Sequence, residues 1–170
     1  MGISKLVVVG ATGNVGREML NILSERNFPC EEVIAIASER SEGDAVPFGN
    51  KELIVQSLSS YDFSETSIAL FSAGGKISEV YGPIAAEQGC IVIDNSSKFR
   101  MDNDVPLIVP EVNIEMLEHY RTTNIIANPN CSTIQMVVAL KPLEDLASIN
   151  RINVSSYQST SGAGKVAMEE

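Results

Sequence analysis

Short runs of β-branched and other apolar residues alternate along the chain with longer segments whose apolar positions recur at helical spacing. The short runs predict strands, because strands are brief and rich in Val and Ile. The predicted strands are Leu6–Val9, Val33–Ala37, Leu53–Gln56, Ile68–Phe71, Ile91–Asp94, Ile125–Ala127 and, near the end of the chain, Ile152–Gln158. Their alternation with helices is typical of parallel βαβ units and predicts an α/β fold.

Helical periodicity is clearest after the first strand, where Val15, Met19 and Leu23 share one face. The predicted helices are Val15–Arg26, Ile77–Gln88 and Ser132–Leu146. We expect Pro142 to kink or shorten the last turn of the third helix, because its ring clashes with the preceding turn. Ser161–Gly164 predicts a Gly-rich turn that opens a further helix, which stops at Glu170 without a capping residue. This pattern predicts the front portion of a longer protein, or a truncated chain.

Composition and charge narrow the class of protein. The 170 residues are 44% apolar, which is enough for one compact domain with a sizeable core. Twelve basic against 22 acidic residues give a net charge of −10, so we expect neither nucleic acid nor an anionic membrane as a partner. Three cysteines without disulfide-like spacing predict a reducing, cytoplasmic setting. The N-terminal apolar run Leu6–Val9 is too short for a signal peptide or a membrane span.

A glycine-rich loop joins the first strand to the first helix. It reads Gly10-Ala11-Thr12-Gly13-Asn14-Val15-Gly16. This context predicts a dinucleotide site, in which glycines permit a tight turn and the helix N-terminus faces a pyrophosphate. The spacing is G-x-x-G-x-x-G rather than the more familiar G-x-G-x-x-G, and an ordinary strand–helix turn is the alternative.

The second predicted strand is followed by Ser38-Glu39-Arg40-Ser41. An NAD site carries an acid here for the ribose 2′-hydroxyl, whereas a cation accommodates a 2′-phosphate. Arg40 and Ser41 therefore favour NADP as the cofactor. Glu39, an acid of the kind found in NAD sites, conflicts with this interpretation. The alternative is a solvated charged loop.

Two further loops follow strands at the same edge of the sheet. Ser72-Ala73-Gly74-Gly75 opens a helix beside the expected ligand crevice, although a plain loop with a glycine cap explains it equally well. The loop after the fifth strand brings Arg100 close to Asn95 and Ser97. That arginine is a candidate clamp for phosphate or carboxylate, with a merely solvated arginine as the alternative.

Cys131 is the candidate nucleophile. It lies in Asn128-Pro129-Asn130-Cys131-Ser132-Thr133, between a strand and a helix. Pro129 keeps the preceding residue extended, so the helix begins near the cysteine, where the helix dipole stabilises a thiolate. Burial as a small apolar residue is the alternative, and we expect that role for Cys30 and Cys90. The single histidine, His119, falls in the polar segment Glu115–Arg121 and is not expected to be catalytic; no metal site is predicted either.

Together these motifs resemble aspartate-semialdehyde dehydrogenase over essentially the whole chain. The matching motifs are Gly10–Gly16, Ser38–Ser41, Phe71–Gly75, Asp94–Met101, Val109–Asn113, Asn128–Gln135 and Tyr157–Gly164. N-acetyl-glutamyl-phosphate reductase is the nearest rival family. Its cysteine motif tends to be Pro-Gly-Cys-Tyr, whereas this chain has Pro-Asn-Cys-Ser, which favours the aspartate branch.

The resemblance implies NADPH-dependent reductive dephosphorylation of L-aspartyl 4-phosphate to the semialdehyde, a cytoplasmic step toward lysine, diaminopimelate, threonine and methionine. By motif, Thr12 to Val15 would hold the pyrophosphate, and Arg40 with Ser41 the 2′-phosphate. Ser72 to Gly75 would lie along the nicotinamide, and Ser161 with Gly162 would close on the cofactor.

The resemblance also assigns the substrate side. Arg100 would bind the phosphate with Asn95 nearby, Cys131 would form an acyl-thioester, and Gln158 would orient the substrate. It implies a Rossmann-like, doubly wound, mostly parallel sheet in an NADP-binding domain over residues 1–128. Residues 129–170 would begin an α+β catalytic and dimerisation domain of a homodimer.

The family takes its acid/base histidine and a substrate-carboxylate arginine from later sequence. We therefore expect this chain alone to be inactive. The alternative is a free-standing NADP-binding remnant without catalysis.

Overall fold

The computed structural model describes residues 3–163, which form a parallel sheet flanked by helices. The strands are β1 (Ile3–Val9), β2 (Cys30–Ala37), β3 (Ala45–Phe48), β4 (Lys51–Ile54), β5 (Gln56–Ser57), β6 (Ile68–Phe71), β7 (Ile91–Asp94) and β8 (Ile125–Ala127). The α-helices are α1 (Asn14–Glu25), α2 (Gly75–Glu87), α3 (Pro110–Asn113) and α4 (Cys131–Leu146). Short 3₁₀ segments cover Glu39–Ser41, Leu58–Ser60, Ile114–Thr122 and Thr160–Ala163.

Six strands form one sheet in the order β5-β2-β1-β6-β7-β8, and every pairing in it is parallel. The chain builds outward from β1 through β2 to β5, then crosses back to place β6 on the other side of β1. Val9 is consequently paired with both Ile36 and Phe71. This reversal creates a crevice at the carboxyl ends of β1 and β6. The predicted Rossmann-like, doubly wound sheet is confirmed.

Both faces of the central strand are buried. Leu6 and Val8 pack against Leu20 and other residues of the α1 side, whereas Val7 and Val9 join the cluster on the α2 side. Alternate residues of a strand point to opposite faces, so a strand covered on both faces is apolar throughout. This is why the first apolar run predicts its strand well.

The segment 45–57 differs from its prediction. The expected strand Leu53–Gln56 is divided between two sheets: Lys51–Ile54 pairs antiparallel with β3, and Gln56–Ser57 pairs parallel with β2. Val55, buried at the junction, donates its N–H to the Asp44 carbonyl at 2.8 Å. Its backbone hydrogen bond is thus diverted out of both ladders, which separates the two strands.

The three predicted helices begin and end close to their predicted limits, and the proline does not shorten α4. It continues past Pro142 to Leu146, and the next N–H, of Ala147, still donates to the Leu143 carbonyl at 2.9 Å. Pro142 removes only its own donor from this ladder. The predicted shortening is therefore wrong.

The predicted strand Ile152–Gln158 is also wrong, because this segment has no regular secondary structure. A strand needs a neighbour to pair with its N–H and C=O groups, and within residues 3–163 no strand is paired with this segment. Val154 and Tyr157 are 61% and 98% exposed. The Gly-rich turn is a 3₁₀ turn, Thr160–Ala163, and the helix expected after it lies outside the described residues.

Core packing of α1 gives a stability test. Leu20 is fully buried between α1 and the sheet, whereas Ile22 on the same helix is 38% exposed. We expect Leu20→Ala to lower the free energy of unfolding by about 2–4 kcal/mol, through lost apolar burial and an unfilled cavity. Ile22→Ala, the matched control, should cost less than about 1 kcal/mol. Urea unfolding followed by circular dichroism measures both; equal losses would contradict this packing.

Candidate active site

The glycine loop brings α1 into close contact with the end of β1. Gly10 has a φ of 87°, a left-handed conformation that favours glycine, and its N–H donates to the Ile36 carbonyl at 2.8 Å. A Cβ on Gly16 would lie 2.1 Å from the Gly10 carbonyl oxygen. Gly13, in extended conformation, precedes the first residue of α1. The glycines are therefore required by the turn and by the packing of the helix.

A cleft of about 300 Å³ opens beside this loop. It is lined by Val9, Gly10, Thr12, Gly13, Ala37, Ser38, Leu58, Ser72, Ala73 and Ile77. Gly13, Asn14 and Val15 are exposed at the start of α1, and its first turn contains no acidic residue. The positive end of the helix dipole is thus available to an anion, and the cleft suits a pyrophosphate.

The loop after β2 forms one end of the cleft. Ser38 precedes a 3₁₀ turn closed by the Ser41 N–H, which donates to the Ser38 carbonyl at 2.9 Å. Arg40 is exposed, and none of the three ion pairs among residues 3–163 involves it. Glu39, in contrast, accepts a hydrogen bond from the Ser59 hydroxyl at 2.7 Å.

The loop after β6 forms the other side of the cleft. The Ser72 hydroxyl donates to the Val9 carbonyl at 3.0 Å and so ties the end of β6 to β1. Gly74, with a φ of 89°, precedes α2, which begins at Gly75. Ala73 is half-buried beside them. This loop places the N-terminus of a second helix at the same edge of the sheet.

A buried carboxylate organises the loop after β7. Asp94 is fully buried, and its Oδ1 accepts from the Ser78 hydroxyl at 2.6 Å and from the Ser96 N–H at 3.1 Å. Its Oδ2 accepts from the Ser96 hydroxyl at 2.5 Å. A buried carboxylate is tolerated when donors satisfy it, so these bonds fix the loop relative to α2.

Arg100 joins the loops that follow β7 and β8. Its Nε donates to the Asn128 carbonyl at 2.9 Å, and its Nη2 donates to the Asn95 carbonyl at 3.0 Å. The side chains of Asn128 and Asn95 are themselves hydrogen-bonded, Nδ2 to Oδ1, at 2.6 Å. A guanidinium has five N–H donors, so most of its donor capacity is left for an anion.

Asn128 was not selected as a site residue from the sequence. The signal was present, because it directly follows a predicted strand and precedes Pro129 at the ligand edge. Only the structure shows that its carbonyl and its amide hold Arg100 and Asn95.

Cys131 is the first residue of α4 and is exposed. The residue before it, Asn130, caps the helix: its Oδ1 accepts from the Ser132 N–H at 3.0 Å and from the Ser132 hydroxyl at 2.5 Å. The other cysteines differ. Burial raises the pKa of the Cys90 thiol to about 12 and also raises the pKa of the half-buried Cys30 thiol.

Three predicted site residues lie apart from this cluster. Gln158, Ser161 and Gly162 are exposed, and the hydrogen bonds described for their segment are internal to it. A Cβ on Gly162 would lie 2.2 Å from the Gln158 Nε2, so the glutamine side chain covers the glycine. His119 is exposed on the Ile114–Thr122 segment.

None of the helices within residues 3–163 is both long enough and apolar enough to cross a lipid bilayer.

The glycine loop at the switch point and the cleft beside it, at the carboxyl edge of a parallel sheet, are the features of a dinucleotide-binding α/β domain. Comparison with known families identifies which one. Residues 5–120 match the family model described as "Semialdehyde dehydrogenase, NAD binding domain", and the chain belongs to this family. The resemblance seen in the sequence is confirmed, and the family model supports a nicotinamide dinucleotide as the cofactor.

Individual relatives agree with the family model. The chain is 56% identical to an aspartate-semialdehyde dehydrogenase of Shewanella violacea and to aspartate-semialdehyde dehydrogenase 2 of Vibrio cholerae, over 97% of this chain and 49% of each relative. The crystal structure of Vibrio cholerae aspartate semialdehyde dehydrogenase II complexed with ASA superposes with a TM-score of 0.95 at 54% identity, covering 98% of this chain and 50% of that one. The chain thus spans about half the length of these relatives.

The contact between Gly16 and Gly10 gives a test of the loop. We expect Gly16→Ala to destabilise the fold by about 1–3 kcal/mol, because the added methyl overlaps backbone atoms. Gly75→Ala is the matched control, since a Cβ there meets nothing within 4 Å. Thermal unfolding of both variants measures the difference; an unchanged melting temperature for Gly16→Ala would refute the close packing.

Cysteine reactivity tests the setting of Cys131. We expect iodoacetamide at pH 8 to alkylate Cys131 at least about tenfold faster than Cys90, because only an accessible thiolate reacts. The pKa of Cys90, raised to about 12 by burial, keeps its thiol protonated until the pH approaches that value. Peptide mass spectrometry over time gives both rates, and preferential labelling of Cys90 in the folded chain would overturn the assignment.

Proposed function

We propose that this chain carries the cofactor site and the nucleophile of an NADP-dependent aspartate-semialdehyde dehydrogenase. The reaction is the reductive dephosphorylation of L-aspartyl 4-phosphate to L-aspartate 4-semialdehyde. One observation carries the proposal: Asn128 accepts a hydrogen bond from Arg100, and Cys131 begins α4 three residues later. An anion-binding guanidinium and a candidate nucleophile are thus held by the same strand end.

The substrate phosphate would bind at Arg100. Two of its N–H groups already donate to backbone carbonyls, which fixes the plane of the guanidinium. The remaining donors suit two oxygens of a phosphate, since bidentate pairing is the preferred geometry of Arg with such groups. Asn95, hydrogen-bonded to Asn128, holds the adjoining loop in place.

Cys131 would act on the acyl carbon of the substrate. Its thiolate forms a bond to that carbon while the bond from the carbon to the phosphate oxygen breaks, and inorganic phosphate leaves from the Arg100 site. Bound NADPH would supply the hydride that reduces the resulting acyl-thioester. The hemithioacetal formed on Cys131 then collapses, which releases the aldehyde and regenerates the thiolate.

The cofactor end of the site fits a phosphorylated dinucleotide. Thr12, Gly13, Asn14 and Val15 surround the start of α1, where the pyrophosphate would bind. Arg40 is exposed beside the cleft and would pair with the 2′-phosphate, with Ser41 as a further donor. These features support NADP rather than NAD.

The rest of the proposal concerns the second part of the chain. Residues 1–128 would form the NADP-binding domain, and residues 129–170 the beginning of a catalytic and dimerisation domain. Gln158 would orient the substrate and Ser161 with Gly162 would close on the cofactor. The complete protein would be a cytoplasmic homodimer in the synthesis of lysine, threonine and methionine.

A cofactor-binding unit without catalysis is the second candidate. It is favoured by the exposed positions of Gln158 and His119, neither of which is hydrogen-bonded to the loops at the strand ends within residues 3–163. Proton transfer to and from the intermediates needs a positioned acid or base. We propose that this chain alone lacks one.

An assay on the 170-residue chain separates these candidates. NADP⁺ reduction is followed by the absorbance of NADPH with aspartate semialdehyde and phosphate present, and binding of NADP⁺ is followed by calorimetry. We expect binding without turnover, because within residues 3–163 no hydrogen bond joins the Cys131 thiol to an acid or base. Cys131→Ser is the control for thiol-dependent chemistry.

Turnover that disappears in Cys131→Ser would show that a base is present after all. Absence of NADP⁺ binding would contradict the proposed cofactor site.

A further inference from the structure

Glu39 conflicts with the proposed preference for NADP. It lies just beyond β2, where sites for NAD carry an acid that accepts from the ribose 2′-hydroxyl. A free carboxylate there would repel a 2′-phosphate. In the structure this carboxylate is not free, because it accepts a hydrogen bond from another residue.

The partner of Glu39 lies in the segment that follows the neighbouring strand. β2 and β5 pair through Ala37 and Ser57, so the residues that follow these two strands lie side by side. The Ser59 hydroxyl donates to the Glu39 Oε1 at 2.7 Å, and it lies 3.0 Å from the hydroxyl of Ser57. A hydroxyl has a single proton; since Ser59 gives its proton to Glu39, Ser57 is the donor in the second bond.

This chain of hydrogen bonds is anchored in the interior. Ser57 is buried, with 3% of its surface exposed. Ser57 donates to Ser59, and Ser59 donates to the Glu39 carboxylate. Consecutive hydrogen bonds of this kind polarise and strengthen one another. Glu39 is therefore held toward β5.

The hydrogen bond joins residues next to the cofactor cleft. Ser38 and Leu58 both line the cleft, and Glu39 and Ser59 are the residues that follow each of them. Arg40, next to Glu39, is exposed. The Glu39 carboxylate is thus held beside Ser59, while the Arg40 guanidinium takes part in none of the ion pairs within residues 3–163.

We propose that Ser59 is a specificity-determining residue for the cofactor: it holds the Glu39 carboxylate against β5 and so lets the site accept a 2′-phosphate. This inference rests on the proposed function. Without the Ser59 hydroxyl, the carboxylate is free to accept from a ribose 2′-hydroxyl, which favours NAD⁺, and to repel the phosphate of NADP⁺.

The test measures dissociation constants of NADP⁺ and NAD⁺ for the 170-residue chain by calorimetry. We expect Ser59→Ala to raise the constant for NADP⁺ about three- to tenfold, the range that one hydrogen bond supports, and to lower the constant for NAD⁺. Ser60→Ala is the matched control, because that hydroxyl donates to the Ser57 carbonyl at 3.5 Å rather than to Glu39. Circular dichroism checks that each variant is folded.

Glu39→Gln distinguishes a charge effect from a structural one. We expect Ser59→Ala to leave the ratio of the two constants unchanged in the Glu39→Gln background, because no carboxylate remains to be released. The same shift in both backgrounds would overturn the inference, as would equal ratios for Ser59→Ala and Ser60→Ala. If the unaltered chain bound neither dinucleotide, the proposed function would fail and this inference with it.

Discussion

The buried Asp94 carboxylate is the interaction on which the ligand edge of the sheet depends. Its oxygens accept from Ser78 on α2 and from Ser96 in the next loop, and its backbone carbonyl accepts from the Asn128 N–H at 2.8 Å. A buried carboxylate without hydrogen-bond donors would destabilise the fold, so the donors from Ser78 and Ser96 are both needed. The side chain of Asp94 thereby positions α2 relative to the loop that carries Arg100, and its backbone carbonyl holds the start of the segment that leads to Cys131.

The chain has a net charge of −10. Two local features nevertheless provide positive potential for the anionic groups of the proposed reaction. At α1, backbone N–H groups and the helix dipole provide it without a charged side chain. At Arg100, a full charge is fixed by two carbonyls. Salt screens the effect of the overall negative charge beyond about 8 Å at physiological ionic strength. These local features would therefore determine where an anion binds.

The sequence predicts best what depends on neighbours close in the chain. The strand Leu6–Val9 and the loop Gly10–Gly16 carry their own signals, namely apolar residues for both faces and glycines for a tight turn. The bond between Ser59 and Glu39 carries none, because it exists only once β5 has paired with β2. Ile152–Gln158 shows the converse error: its composition suits a strand, but pairing is a property of the surrounding structure.

The position of β1 has a consequence for synthesis of the protein. It is made before β2 and β6, yet it lies between them in the finished sheet. β2 can pair with one edge of β1 early, but the other edge waits for β6 until Phe71 has left the ribosome. At about 5–20 residues per second, that wait lasts on the order of several seconds. During this interval one edge of β1 exposes unpaired N–H and C=O groups, which makes it a target for a chaperone that binds extended segments.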